Sequence, residues 1–209
     1  MKNMTIHYPN GGAYKQHALA KPAAPATIYG GRGMTLEDEL NGTNQYYLST
    51  GRAVVHKKPT PIQIVKVDYP QRSKAVIREG YFKTPSTTDY NGIYRGYYLD
   101  FEAKETKNKA SFPLKNFHQH QVDHMRACLV QKGICFVVMR FVRLERLFVY
   151  PASPLIAAWD AQADGARKSI TLSTIEHDGF ELTPKIQPRV PYLDGVDWLI
   201  SQKVGATRG

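Results

Sequence analysis

The run Ile134-Cys135-Phe136-Val137-Val138-Met139-Arg140-Phe141 constrains the fold more than any other stretch of this chain. Seven of its eight side chains are apolar, and several are β-branched or aromatic, so it reads as a strand. A strand that is apolar on both faces must be covered on both faces, which calls for a sheet sandwiched between helices. Leu144–Tyr150 reads as a second strand. Helical stretches fall at about 35–47, 114–131, 152–163 and 192–200, and this alternation implies an α/β layered core. No run approaches the roughly 18 apolar residues of a membrane span, and the first residues lack the apolar core of a signal peptide. The only cysteines, Cys128 and Cys135, lie seven apart with no C-x-x-C partner and read as reduced core residues. Both features suit the cytoplasm and exclude a membrane role.

At 209 residues the chain fits one domain with tails. Residues 1–28, rich in small residues, proline and glycine without periodicity, read as a flexible N-terminal tail. Residues 29–200 read as a single domain, and 201–209 as a C-terminal tail. Thr35, followed by Glu37, Asp38 and Glu39, is an N-cap signal for a helix to about Tyr47. Leu36, Leu40, Asn44 and Tyr47 share one face of it. Glu37, on that helix, suits either an exposed position or a supporting acid.

Tyr97-Tyr98-Leu99-Asp100-Phe101-Glu102-Ala103-Lys104 reads as a strand whose Leu99, Phe101 and Ala103 face a core. Tyr98, Asp100, Glu102 and Lys104 then line the other face. Asn91-Gly92 is a turn signal, and a hairpin closed there brings Asp89 towards Glu102. Two close carboxylates repel unless a cation lies between them, and hard oxygen ligands suit Mg²⁺, with Mn²⁺ as a substitute. A lysine beside them can stabilise developing negative charge.

Net charge is +10, and residues 51–109 hold 12 of the 28 Lys/Arg against 6 of the 18 Asp/Glu. A basic field around carboxylates suits a polyanion, although charge alone is better explained by solubility. Arg52–Lys58 reads as a strand ended by Pro59-Thr60-Pro61. Ile62–Tyr69 and Lys74–Arg78 read as two arms of a hairpin whose tip carries Arg72 and Lys74. Tyr81 and Phe82 suit stacking on exposed bases or a place in the core. In the helix at 114–131, Phe117, Gln121, His124/Met125 and Cys128 share a face, with Gln121 as the polar exception. His118, His120 and His124 lack zinc-ligand company and read as surface histidines.

Asp89 followed by Glu102-Ala103-Lys104 resembles the D…(D/E)-x-K site of restriction-endonuclease-like nucleases. Gly30-Gly31-Arg32-Gly33-Met34, His56-Lys57-Lys58-Pro59-Thr60-Pro61, Tyr81–Gly92 and Asp100–Lys107 closely resemble RecU, a family of Holliday-junction resolvases. Thr88 precedes Asp89 where the wider superfamily often has proline, so the support comes from the RecU-like context.

The resemblance implies an α/β, restriction-endonuclease-like layered core, with a central mixed sheet flanked by helices and a protruding β-hairpin stalk at about 60–80. It implies a Mg²⁺-dependent endonuclease that resolves four-way junctions as a homodimer. It assigns catalysis to Asp89, Glu102 and Lys104, and the metal to Thr87, Asp89, Glu102 and Gln121. The expected DNA contacts are Arg32, Lys57, Lys58, Arg72, Lys74, Arg78, Tyr81, Phe82, Lys107 and Lys109. The RecA recombinase and branch-migration proteins are implied partners. The competing reading is a non-catalytic junction-binding accessory protein acting on RecA. A small-molecule acid–base hydrolase fits poorly beside so many lysines.

Overall fold

A computed structural model of the chain describes residues 34–68, 75–83 and 86–206. The 1–28 tail, Arg32, Arg72 and Lys74 lie outside the described residues. In chain order the elements are α1 (Leu36–Ser49), β1 (Val54–Lys57), β2 (Ile62–Asp68), β3 (Val76–Phe82), β4 (Tyr90–Tyr94) and β5 (Tyr97–Thr106). They continue with β6 (Ser111–Pro113), α2 (Gln119–Val130), β7 (Ile134–Phe141), β8 (Arg146–Pro151), α3 (Ala152–Ala161), β9 (Ser169–Thr171), α4 (Leu172–Asp178), β10 (Phe180–Leu182) and α5 (Tyr192–Ala206). The last helix therefore enters the stretch read as a tail from 201.

Six strands form a mixed sheet in the order β1-β4-β5-β7-β8-β10. Only β5 and β7 are parallel, with Leu99 opposite Ile134 and Lys104 opposite Met139, and α2 lies in the crossover between them. The alternation of side chains splits the core into two layers. On one face Leu99, Phe101, Phe136, Val138, Leu147 and Val149 pack with Leu36, Leu40 and Tyr47 of α1 and Tyr192, Leu193 and Val196 of α5. On the other, Cys135, Val137, Met139, Phe148 and Tyr150 meet Val122 and Met125 of α2, Leu155 and Ile156 of α3 and Ile175 of α4. This is the both-faces coverage that the apolar β7 run demands, and it makes an α/β core with a central mixed sheet between helices.

Helix α1 begins in a reciprocal cap. Asp38 N–H donates to Thr35 Oγ1 at 3.2 Å, and Thr35 N–H donates to Asp38 Oδ2 at 3.1 Å. The helix thereby starts at a fixed point beside β4 and β5.

The β4–β5 hairpin forms as expected, but its turn is elsewhere. Asn91 and Gly92 lie inside β4, and the two-residue loop is Arg95-Gly96, with φ of 49° and 82° between the paired Tyr94 and Tyr97. Positive φ at both positions is what a tight hairpin turn with matching twist requires. Gly92 has a different task, because a Cβ there would lie 2.1 Å from the Val54 carbonyl oxygen and 2.6 Å from Val55 Cα. Only glycine lets β1 approach β4 this closely. Gly92→Ala is expected to cost about 1–3 kcal/mol by forcing the strands apart, and an unchanged urea midpoint would refute that.

β2 and β3 form a separate two-stranded antiparallel sheet, running from Ile62 opposite Phe82 to Asp68 opposite Val76. It stands out from the body, with most of its side chains exposed on both faces. The second arm continues through Tyr81 and Phe82, so these aromatics belong to the stalk, and Phe82 is 80% exposed. The stacking alternative for them keeps its accessible faces, and the core alternative does not hold. The four short elements β6, β9, α4 and β10 were not expected from the sequence.

Candidate active site

Asp89 immediately precedes β4, and the register Tyr90 opposite Phe101 puts it beside Glu102 on β5. The Asp89 backbone N–H donates to Glu102 Oε2 at 3.2 Å. Lys104, two residues along the same face, places its Nζ 2.9 Å from Glu102 Oε1. Glu102 Oε1 is fully buried, and the Lys104 ammonium is the group that meets it. Burial pushes the Glu102 carboxyl up to about 8, the Asp89 carboxyl adds to the rise, and the Lys104 ammonium opposes it. A buried carboxylate with a second carboxylate alongside and an ammonium at its edge fits a hard divalent cation.

A cleft of about 260 Å³ reaches Asp89 from the α1 side, lined by Thr35, Leu36, Glu37, Asp89, Tyr90 and, from the β5 face opposite Glu102 and Lys104, Ala103 and Glu105. Glu37 lines that cleft with Asp89, and its carboxylate is ion-paired with Lys57. On the α2 side His120 is close enough for the charges of Lys104 and Asp89 to act on it, and burial followed by the charge of His118 holds its imidazole below the usual value. From sequence His120 reads as one of three surface histidines, and only its place next to Gln121 in the first turn of α2 hints at this position.

Other expected site residues are held less directly. Thr87 is half-buried two residues before Asp89, and its hydroxyl donates to the Thr88 carbonyl at 3.2 Å. Gln121 is buried, and its Oε1 accepts the His118 N–H at 3.0 Å as a cap on α2. No hydrogen bond joins either side chain to the carboxylate pair. Lys107 and Lys109 are exposed just past β5. Arg78, on the stalk, is ion-paired to Asp68 at 2.5 Å.

Lys58 departs from expectation. Its ammonium, read as a DNA contact, points inward and lies 2.8 Å from Asp100 Oδ2, with its side chain 17% exposed. A fully buried carboxylate left without a partner is strongly destabilising, and the Lys58 ammonium meets that need. Asp100 also accepts from Thr88 Oγ1, from Tyr98 OH at 2.9 Å, and meets His124 Nε2 at 3.0 Å. Burial works against the Asp100 charge, but the donors from Lys58, Thr88 and His124 win and hold its carboxyl below the usual carboxylate range. His124 is therefore not a surface residue. Asp100, His124 and Cys128 each offer a metal-ligating atom within 4.8 Å of one another. Lys58 Nζ, also 3.4 Å from His124 Nε2, already supplies that position with a cation.

The chain matches the family model described as RecU, recombination protein U, over residues 31–198. The chain belongs to the RecU family. It is 69% identical over 212 residues to the Holliday junction resolvase RecU of Lacticaseibacillus casei, covering 99% of this chain and all of that one. It is 62% identical to the protein of the same name from Latilactobacillus sakei, with 95% and 98% of the two chains covered. For that of Limosilactobacillus reuteri the identity is 57%, with 96% and 100% covered. The RecU match takes in the stalk, both carboxylates, Lys104 and the Asp100 cluster. Among the described residues no helix is long and apolar enough to cross a membrane.

Proposed function

We propose that this chain is a divalent-metal-dependent, structure-selective DNA endonuclease that resolves four-way junctions. The names of its relatives support the substrate, and one observation on this chain supports the chemistry. That observation is the buried Glu102 carboxylate, with Asp89 on one oxygen and the Lys104 ammonium 2.9 Å from the other. Asp89 and Glu102 would hold Mg²⁺ or Mn²⁺, with Thr87 and Gln121 in support. When bound, the ion would supply Lewis acidity at the scissile phosphate and lower the pKa of an attacking water. Lys104 presents a fixed ammonium, stabilised by Glu102, to the phosphoryl oxygens on which charge develops. Tyr81 and Phe82 on the stalk offer faces for unstacked bases at the branch point, and Lys107 and Lys109 offer charge for the backbone. Symmetric cutting of a four-way junction needs two such sites related by a two-fold axis, hence a homodimer.

A synthetic four-way junction incubated with increasing MgCl₂ tests this reading. Paired nicks that appear with the ion and vanish in EDTA are expected. Junction binding with no cleavage at any Mg²⁺ or Mn²⁺ concentration would instead identify a binding accessory protein.

A further inference from the structure

We infer that Lys58, Asp100 and Thr88 form a positioning clamp that sets the metal affinity of the adjacent carboxylate site. The clamp rests on the metal-dependent reading of Asp89 and Glu102.

Its geometry comes from the interleaving of two segments. Thr87 and Asp89 flank Thr88, and Asp100 lies two residues before Glu102 on the same face of β5. Thr88 is buried, and its hydroxyl donates to Asp100 Oδ1. The side chain between two candidate ligands on one segment is thus tied to the strand that carries the third. Lys58 closes the arrangement twice. Its backbone N–H donates to the Asp89 carbonyl at 2.7 Å. Its ammonium reaches over to Thr88 Oγ1 at 3.1 Å and Asp100 Oδ2 at 2.8 Å. One residue therefore grips the 88–89 backbone and the bond that anchors it.

The Asp89–Glu102 pair cannot hold this geometry alone. Two ionised carboxylates approaching one another repel, and Thr87 and Asp89, both half-buried, lie just before β4, outside the strand ladder. Once both are ionised, the repulsion works against the Asp89 N–H bond to Glu102 Oε2 unless a fixed scaffold opposes it. Asp100 provides that scaffold because it is fully buried and saturated by Lys58, Thr88, Tyr98 and His124. Hydrogen-bonded partners that orient metal ligands typically change affinity by about 10–100-fold when removed.

The test measures Mn²⁺ uptake by the full-length protein by calorimetry, without DNA, alongside junction binding in EDTA across a salt series. Lys58→Met keeps the aliphatic stem and removes the ammonium, while Thr88→Val removes only the hydroxyl and retains every charge. Both are expected to weaken Mn²⁺ uptake by at least about ten-fold, and Thr88→Ser should restore it to near the wild-type value. The salt slope of junction binding by Lys58→Met should match wild type, whereas loss of a phosphate contact would lower it by about one. If Lys58→Met does not fold, Thr88→Val and Thr88→Ser decide the matter by themselves. Wild-type uptake in Thr88→Val, or a reduced salt slope with intact uptake in Lys58→Met, overturns the clamp alone. A wild-type protein that takes up no Mn²⁺ overturns the metal reading and the clamp with it.

Discussion

Replacing Lys104 with methionine is expected to slow junction cleavage by about 10²–10³-fold while leaving junction binding in EDTA close to that of the unaltered chain. The magnitude is that of removing one preorganised charge donor from the place where a transition state becomes negative. Binding should survive because one ammonium, 20% exposed and directed at Glu102, is a small part of the basic surface. Methionine preserves the stem against β5, so the fold should not respond. Single-turnover cleavage and gel-shift titration on the same junction separate the two effects. Equal losses of cleavage and binding would make Lys104 a DNA contact and remove it from the chemistry.

The metal-free protein should lose stability as pH rises from about 4.5 to about 8, and a divalent ion should return it. Glu102 binds its proton more tightly folded than unfolded, because burial and Asp89 raise its pKa to about 8 from the ordinary 4.5. Its contribution is fully present below the unfolded pKa and is lost as pH passes through the folded one. The loss amounts to roughly 3–5 kcal/mol at about 1.4 kcal/mol per unit. Above pH 8 a cation between the carboxylates replaces the proton, so Mg²⁺ should stabilise most where the apo protein is weakest. Asp100 acts oppositely: held below the usual range, it stabilises above the unfolded carboxylate pKa and is lost on acidification. Urea titrations in EDTA and in MgCl₂ across this range read both windows. Glu102→Gln should flatten the decline above pH 4.5, and a decline of the same slope in that variant would show that other groups cause it.

Much of this architecture is written locally. The apolar β7 run announced its own burial, Thr35 and Asp38 announced the start of α1, and the alternation through residues 98–104 placed core and site on opposite faces. What escaped the sequence depends on contacts distant in the chain. Gly92 looks like a turn glycine beside Asn91, and only the approach of β1 shows that it is a strand glycine with no room for a Cβ. Lys58 looks like one of many basic residues, since nothing in its neighbourhood reveals a buried carboxylate 42 positions later. His124 has the same partner and was hidden for the same reason. β6, β9 and β10 are three residues each, too short to carry a period of two.

Glu102 lies on β5 and Asp89 just before β4, two strands joined by nothing more than Arg95 and Gly96. Closing so short a loop carries little entropic penalty, and contacts of this kind can be made before distant parts of the chain have met. Like charges therefore confront one another as soon as these two strands zip together, whether or not the helices have yet docked. A cation arriving at that moment would meet a nascent hairpin, so the ion that serves the finished site is also suited to guiding its assembly.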